Sequence, residues 1–166
     1  TLISNTATYG GGINTTGALT LTHGTLISNT AQDGGGINTA GTVTLAGVTF
    51  SGNSATEYGG GLFNDSPAGQ TRLTNVTFSG NWATLWGGGI AAGNPLLLIN
   101  GTLSDNWAGF GGGIYDAHPT LSSTFQNTIV ANSAAGLNCN RAIIGSFNLS
   151  SDNSCGFGAG RDNINV

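Results

Sequence analysis

Lysine and methionine are absent from this 166-residue sequence, and its three basic residues are all arginines, Arg72, Arg141 and Arg161. Charged residues make up 6% of the chain and the net charge is −4. Nucleic acids and anionic membrane surfaces are held by clustered Lys and Arg, so this composition argues against both as partners. Long apolar runs are missing too. The longest is Pro95 to Ile99, far short of the roughly 18 residues that cross a bilayer, so no membrane span is expected. No targeting segment precedes Thr1, and the chain reads as soluble and already processed. An apolar stripe of period 3.6 is nowhere longer than about two turns, which excludes a helical fold.

What is abundant is glycine, with thirty residues, roughly two and a half times average usage, against an apolar fraction of 38%. That balance does not suit a conventional globular core. A glycine triplet followed by an aliphatic residue occurs five times: Gly10 to Ile13, Gly34 to Ile37, Gly59 to Leu62, Gly87 to Ile90 and Gly111 to Ile114. Upstream of each lies a second phrase, TLISNTA from Thr1 and Thr25, TFSGNSA from Thr49, TFSGNWA from Thr77 and TLSDNWA from Thr102, with TIVANSA from Thr128 as a sixth copy lacking its triplet. The starts are 24, 24, 28, 25 and 26 residues apart. A period in the twenties with short apolar runs and glycine turns marks a solenoid, in which each unit buries its apolar face only by stacking on the next. Disorder, the alternative for a chain rich in Gly, Asn, Ser and Thr, lacks apolar residues in such fixed register.

Strands are short, β-branched and separated by Gly or Asn, so the repeat is all-β. Stacked coils pair as parallel strands about 4.8 Å apart and place equivalent side chains on one another. Leu2, Leu26, Phe50, Phe78, Leu103 and Ile129 form one such column. Asn5, Asn29, Asn53, Asn81, Asn106 and Asn132 form an asparagine ladder, each amide donating to one neighbouring coil, accepting from the other and capping backbone groups at a bend. Ile13, Ile37, Leu62, Ile90 and Ile114 supply a second aliphatic column, and the runs from Ala18, Thr42, Thr71 and Leu96 a third strand. The triplets read as tight corners where one coil's backbone approaches the next, not as phosphate loops, because no helix follows them. Before each triplet stand Tyr9, Asp33, Tyr58, Trp86 and Phe110, a stripe that either covers a corner or faces outward.

The pairs Phe50-Ser51-Gly52-Asn53 and Phe78-Ser79-Gly80-Asn81, alternating with Gly-Gly-x-aliphatic, resemble the repeats of the polymorphic outer membrane proteins over residues 1 to about 134. In this chain the third position of the second motif is always glycine, and four of the six FxxN phrases carry Leu or Ile for Phe. The stretch NTIVANSAAGLNC with GSFNLSSDNSCGF is similar to the closing segment of bacterial secreted β-helix repeat proteins of the pectin-lyase-like kind. The resemblance implies a right-handed parallel β-helix of about six coils in one domain, with residues 1–134 as coils and 135–166 as a cap. It also implies an extracellular or cell-surface location, and it brings no catalytic residues.

In a chain of secreted character the two cysteines, Cys139 and Cys155, read as a disulfide stapling the cap. A zinc site would need two further ligands, and neither His23 nor His118 stands at ligand spacing, so no metal and no cofactor are expected. Polysaccharide lyase or hydrolase chemistry needs paired carboxylates or an acid cluster with a basic partner. Asp33 and Glu57 fall near one corner and Asp105 and Asp116 share a coil, but the arginines lie elsewhere, so no catalysis is expected. An ice-binding array would start at Thr20, Thr22, Thr42 and Thr44, yet that face continues with Arg72, Leu97 and Ser122. Sequons at Asn14, Asn64, Asn75, Asn100 and Asn148 are acceptor sites for N-linked glycans or products of composition.

The expected function is structural, a surface, adhesin or filament module. The alternative is a carbohydrate-binding or carbohydrate-cleaving β-helix using the aromatics and acids. Thr1 opens directly on a repeat phrase, and an open coil templates another strand. Head-to-tail self-association is therefore expected, with the closing RDNINV as a donor strand, unless the chain is a piece of a longer solenoid.

Overall fold

A computed structural model describes residues 1–118 and 123–157, and the backbone of 163–164. Among these residues every regular element is a strand, and the paired strands are parallel. The coils build three sheets. The long sheet is built from the nine-residue strands Leu19–Ile27, Val43–Ser51, Thr71–Ser79 and Leu96–Ser104, flanked by shorter ones. The triplet-following strands Ile13–Thr15, Ile37–Thr39, Leu62–Asn64, Ile90–Ala92 and Ile114–Asp116 form the second. Thr30–Asp33, Ser54–Tyr58 and Trp82–Ala83 form the third. The stack is an all-β solenoid of about five turns, with a shorter sixth turn leading to the cap, where the repeat count gave about six coils.

The sequence reading separated the third strand from the phrase bearing the core Leu or Phe. In the structure the two are arms of one nine-residue strand, bent at His23, Gly47, Asn75 and Asn100, all in the left-handed region with φ between 53° and 64°. The bend is required by the side-chain pattern. Val43 and Leu45 point inward, and strict alternation would send Phe50 out; the kink shifts the phase by one, so Val48 and Phe50 also face the core. Phe50 and Phe78 then stack directly, centroids 4.3 Å apart and rings 3° from parallel, both fully buried. Burial of each ring contributes about 3 kcal/mol before packing terms.

The triplet corner explains why three successive glycines recur. Gly34 has φ +63°, which costs an L side chain strain, while a Cβ on Gly35 would lie 2.5 Å from the Gly60 carbonyl oxygen and one on Gly36 2.5 Å from that of Gly61. One glycine makes the turn and two admit the neighbouring backbone.

The asparagines lie on the opposite corner. The backbone N–H and Nδ2 of Asn5 both donate to Oδ1 of Asn29, and the same pair of bonds runs from Asn29 to Asn53, Asn53 to Asn81 and Asn81 to Asn106, at 2.8–3.0 Å. Each Nδ2 from Asn29 onward also donates to the carbonyl of the preceding coil's core residue, Leu2, Leu26, Phe50 or Phe78. Asn132 is not a rung. In the sixth turn Leu103 pairs with Val130 and Ser104 with Ala131, one residue out of step with the sequence alignment, so Val130 is buried and Ile129, placed in the core column by sequence, is 41% exposed. The apolar demand of the core selects Val130, and a one-residue slip turns every side chain over. Asn132 becomes an exposed corner residue with φ 56°, and Ser133 takes the rung position.

Cys139 and Cys155 form a disulfide, Cα atoms 4.9 Å apart, inside the closing turns. Of the RDNINV stretch only Asn163–Ile164 is described, pairing in parallel with Leu149–Ser150 of its own sheet; Arg161 and the other residues lie outside the described set, as does Ser122.

Candidate functional site

The stripe before the triplets faces outward. Tyr9 is 47% exposed, Trp86 37% and Phe110 64%, and they stack coil over coil with Asp33 and Tyr58 through paired backbones at Tyr9 and Asp33, Asp33 and Tyr58, Tyr58 and Trp86, and Trp86 and Phe110. A second outward pair, Trp82 and Trp107, stacks at 5.1 Å toward the other end of the same sheet.

Just past the triplet corner the first outward position runs Asn14, Asn38, Phe63, Ala91, Tyr115. The column is large, small, large, and the missing side chain at Ala91 leaves a cleft of about 250 Å³. Its floor is Ala91, Ala92, Gly93 and Ala117, and its aromatic lining is Tyr58, Phe63, Trp86 and Tyr115. Tyr58, Trp86 and Tyr115 form a continuous stack, at 4.7 and 4.8 Å, and Phe63 leans on Tyr58 at 5.5 Å. Asp33 and Asp65 complete the lining.

Asp33 is 8% exposed, and among the described residues its buried Oδ1 has no hydrogen-bond partner. Burial raises its carboxyl above the ordinary range, the nearby Glu57 and Asp65 carboxylates add to the rise, and a hydrogen bond from the Tyr58 backbone opposes it. Glu57 accepts from Nε2 of Gln32 at 2.8 Å. The fold therefore joins Asp33 and Glu57, as the corner positions implied, and adds Asp65, which sequence reasoning missed along with Phe63 and Tyr115. The signal was available: the residue after each triplet's aliphatic neighbour changes from Asn to Phe, Ala and Tyr where its equivalents should stack.

Asp105 and Asp116 share a coil but not a surface. Asp105 is exposed at a corner, whereas Asp116 is 2% exposed, its carboxylate accepting from the His118 N–H and the Ser123 hydroxyl. The threonine array breaks at Arg72 and Leu97 as its sequence did, but the residue paired beyond Leu97 is Thr124 where the sequence reading had Ser122, so the outward column reads Thr20, Thr44, Arg72, Leu97 and Thr124. Among the described residues no three His, Cys, Asp or Glu side chains group as a metal site. The sequons divide. Asn14, Asn75 and Asn100 are exposed, with Asn38 donating to Asn14 and Asn100 to Asn75. Asn64 and Asn148 are buried and cannot serve as acceptors in the folded chain; Nδ2 of Asn64 is held by the Gly41 carbonyl and Thr71, and that of Asn148 by the Phe125 carbonyl.

The Chlamydia polymorphic membrane protein repeat matches residues 47–65 and 75–93. Each match runs from a strand bend through the core Phe, the ladder Asn and the triplet, ending at Asp65 or Gly93 of the cleft. No curated protein and no solved structure matches the chain.

Proposed function

We propose that this chain, a β-helix repeat protein similar to the polymorphic membrane proteins, is an adhesin-like binding module exposed on a bacterial surface. The observation that carries this reading is the outward aromatic stripe and its cleft, built on coils that carry the family repeat. Exposed aromatics in register are costly to leave in water and suited to a partner surface. The scaffold holds them rigidly, because the coils from Asn5 to Asn106 that bear them are locked together by the asparagine ladder, and rigid presentation limits the entropy lost on binding. The module is read as non-catalytic, since among the described residues no basic side chain lines the cleft to assist its acids.

The test is retention of beads coated with the purified chain on cultured epithelial cells and on polysaccharide-coated surfaces. Retention several-fold above albumin-coated beads, reduced by the double change Trp86→Ser and Phe110→Ser, is expected. Retention at the albumin level on every surface would sink the reading.

A second reading, carbohydrate binding or cleavage, draws on the same combination of rings and carboxylates. Saturable turnover of any polysaccharide, lost in Asp33→Asn, would replace the first reading. Head-to-tail stacking of copies is a further part of the proposal: the first two phrases are identical and already pair residue for residue, so a coil from another copy could dock in the same register. Sedimentation across a concentration series tests it, with growth of open assemblies expected and a constant monomer against it.

A further inference from the structure

We propose that the cleft beside the triplet corner binds the guanidinium group of an arginine presented by a partner polypeptide. The inference deepens the binding-module reading and rests on it.

The argument starts from an imbalance of charge. Asp33 and Asp65 line the cleft and Glu57 lies close enough to act on Asp33, yet among the described residues no lysine, arginine or histidine lines it. Elsewhere the fold satisfies a buried carboxylate completely, as at Asp116, whose two oxygens accept from His118 and Ser123. Asp33 is almost as deeply buried, but its Oδ1 has no partner. A buried carboxylate oxygen without a donor is costly; Oδ1 is closed to solvent, so the ligand must draw the Asp33 carboxyl toward the cleft, and supplying the donor there recovers that cost.

The lining then selects among donors. Four aromatic side chains surround the space, and their rings favour a cation over a neutral group. A quaternary ammonium carries charge but no N–H, so it leaves Oδ1 unsatisfied. A lysine ammonium has donors but is compact and strongly hydrated. Guanidinium is planar, weakly hydrated, stacks on aromatic rings and offers five N–H donors in a fork that matches carboxylates. The volume, about 250 Å³, lies below that of ordinary small-molecule pockets and suits a single side-chain head. The net charge of −4, on a chain with three basic residues, steers basic partners toward the surface.

The probe is a blocked tripeptide, acetyl-Gly-Arg-Gly-amide, titrated to millimolar concentration and followed by the fluorescence of Trp86. Its controls are the citrulline isostere, which keeps the shape and loses the charge, and a neutral hexasaccharide. Saturable binding of the arginine peptide is expected, weaker by about tenfold or more for citrulline and for the Asp33→Asn protein. Ala117→Phe, at an exposed floor position, should block the cleft without touching the core, and circular dichroism of both variants checks that the solenoid is intact. Citrulline binding as tightly as arginine, no saturation with arginine, or saturation with the hexasaccharide alone would each overturn the assignment. If coated beads still adhere while the arginine peptide fails, the cleft assignment falls by itself; if neither binds, both readings fall.

Discussion

The middle coils and the sixth turn are built from the same phrase and solve the same problem differently. From Asn5 to Asn81 each corner is closed by an amide from the next coil, which accepts from the corner N–H and donates to the core residue's carbonyl. In the sixth turn the core column moves from Ile129 to Val130, and the rung position falls on Ser133, whose hydroxyl is buried without a partner. Five residues further along the same turn Asn138 supplies equivalent bonds, Oδ1 accepting from Ser133 N–H and Nδ2 donating to the Val130 carbonyl. A ladder depends on register more than on composition: the asparagine present in the phrase, Asn132, is lost to it, and one from outside the phrase is recruited.

The largest effect should come from breaking the ladder where it is complete. Asn81→Ala would take from a buried corner the acceptor of the Asn53 N–H, the donor to the Phe50 carbonyl and one of the two acceptors of Asn53 Nδ2, which keeps the Leu26 carbonyl. At 1–3 kcal/mol for each unsatisfied group, a loss of about 4 kcal/mol is expected in denaturant unfolding. A loss below about 1 kcal/mol would mean that water replaces the amide and that the ladder is not what holds the corner.

The sixth turn should respond instead to its staple. Replacing Cys139 and Cys155 together by Ser opens a loop whose closure is worth roughly 3 kcal/mol on the chain-entropy model. The loss should be local. Hydrogen exchange is expected to accelerate over the turn from Ile129 onward while the amides of Val43–Ser51 keep their protection, as coils stabilised by nearest neighbours allow. Uniform acceleration along the chain would show that the cap holds the whole stack.

Asp33 sets a pH-dependent contrast within the regular coils. Its folded pKa is raised from 3.8, so the folded chain holds this proton more tightly than the unfolded chain. The penalty of its charge is therefore fully present above the raised value and absent below 3.8. Asp33→Asn should raise the melting temperature at pH 7, and the gain should shrink as pH falls through the Asp33 titration. A gain that does not change with pH would mean that Asp33 is not ionised against its surroundings.

Much of this was legible in the sequence. Identical residues at fixed spacing announced the solenoid, the Ile13 to Ile114 column and the ladder from Asn5 to Asn106, because stacked equivalents are the physical content of a repeat. The bend at His23, Gly47, Asn75 and Asn100 was hidden, since three different residue types share one backbone conformation at these four positions. The slip at Val130 was hidden for a related reason: TIVANSA matches the phrase better in letters than in burial, and burial decides. The cleft was missed because it arises from the size of one side chain, Ala91, relative to Phe63 and Tyr115 on either side.

The smallest effects should discriminate best between the rung and its imitation. Asn132 is exposed, and only its backbone N–H is engaged, by Ser151 Oγ at 2.8 Å. Asn132→Gly keeps the left-handed backbone available and removes no rung, so a change within about 0.5 kcal/mol is expected. Ser133→Asn should do more. An amide at Ser133 would stand where Asn29, Asn53, Asn81 and Asn106 each receive the preceding asparagine, offering Oδ1 to Asn106 N–H and Nδ2 to the Leu103 carbonyl. It would also replace the buried, unpartnered hydroxyl. A stabilisation of about 1 kcal/mol, read as a raised melting temperature, is expected, net of the space the larger side chain must find beside Gly112 and Gly113. If Asn132→Gly proves the costlier change and Ser133→Asn destabilises, the sixth turn follows the alignment of the letters, and the register drawn through Val130 is wrong.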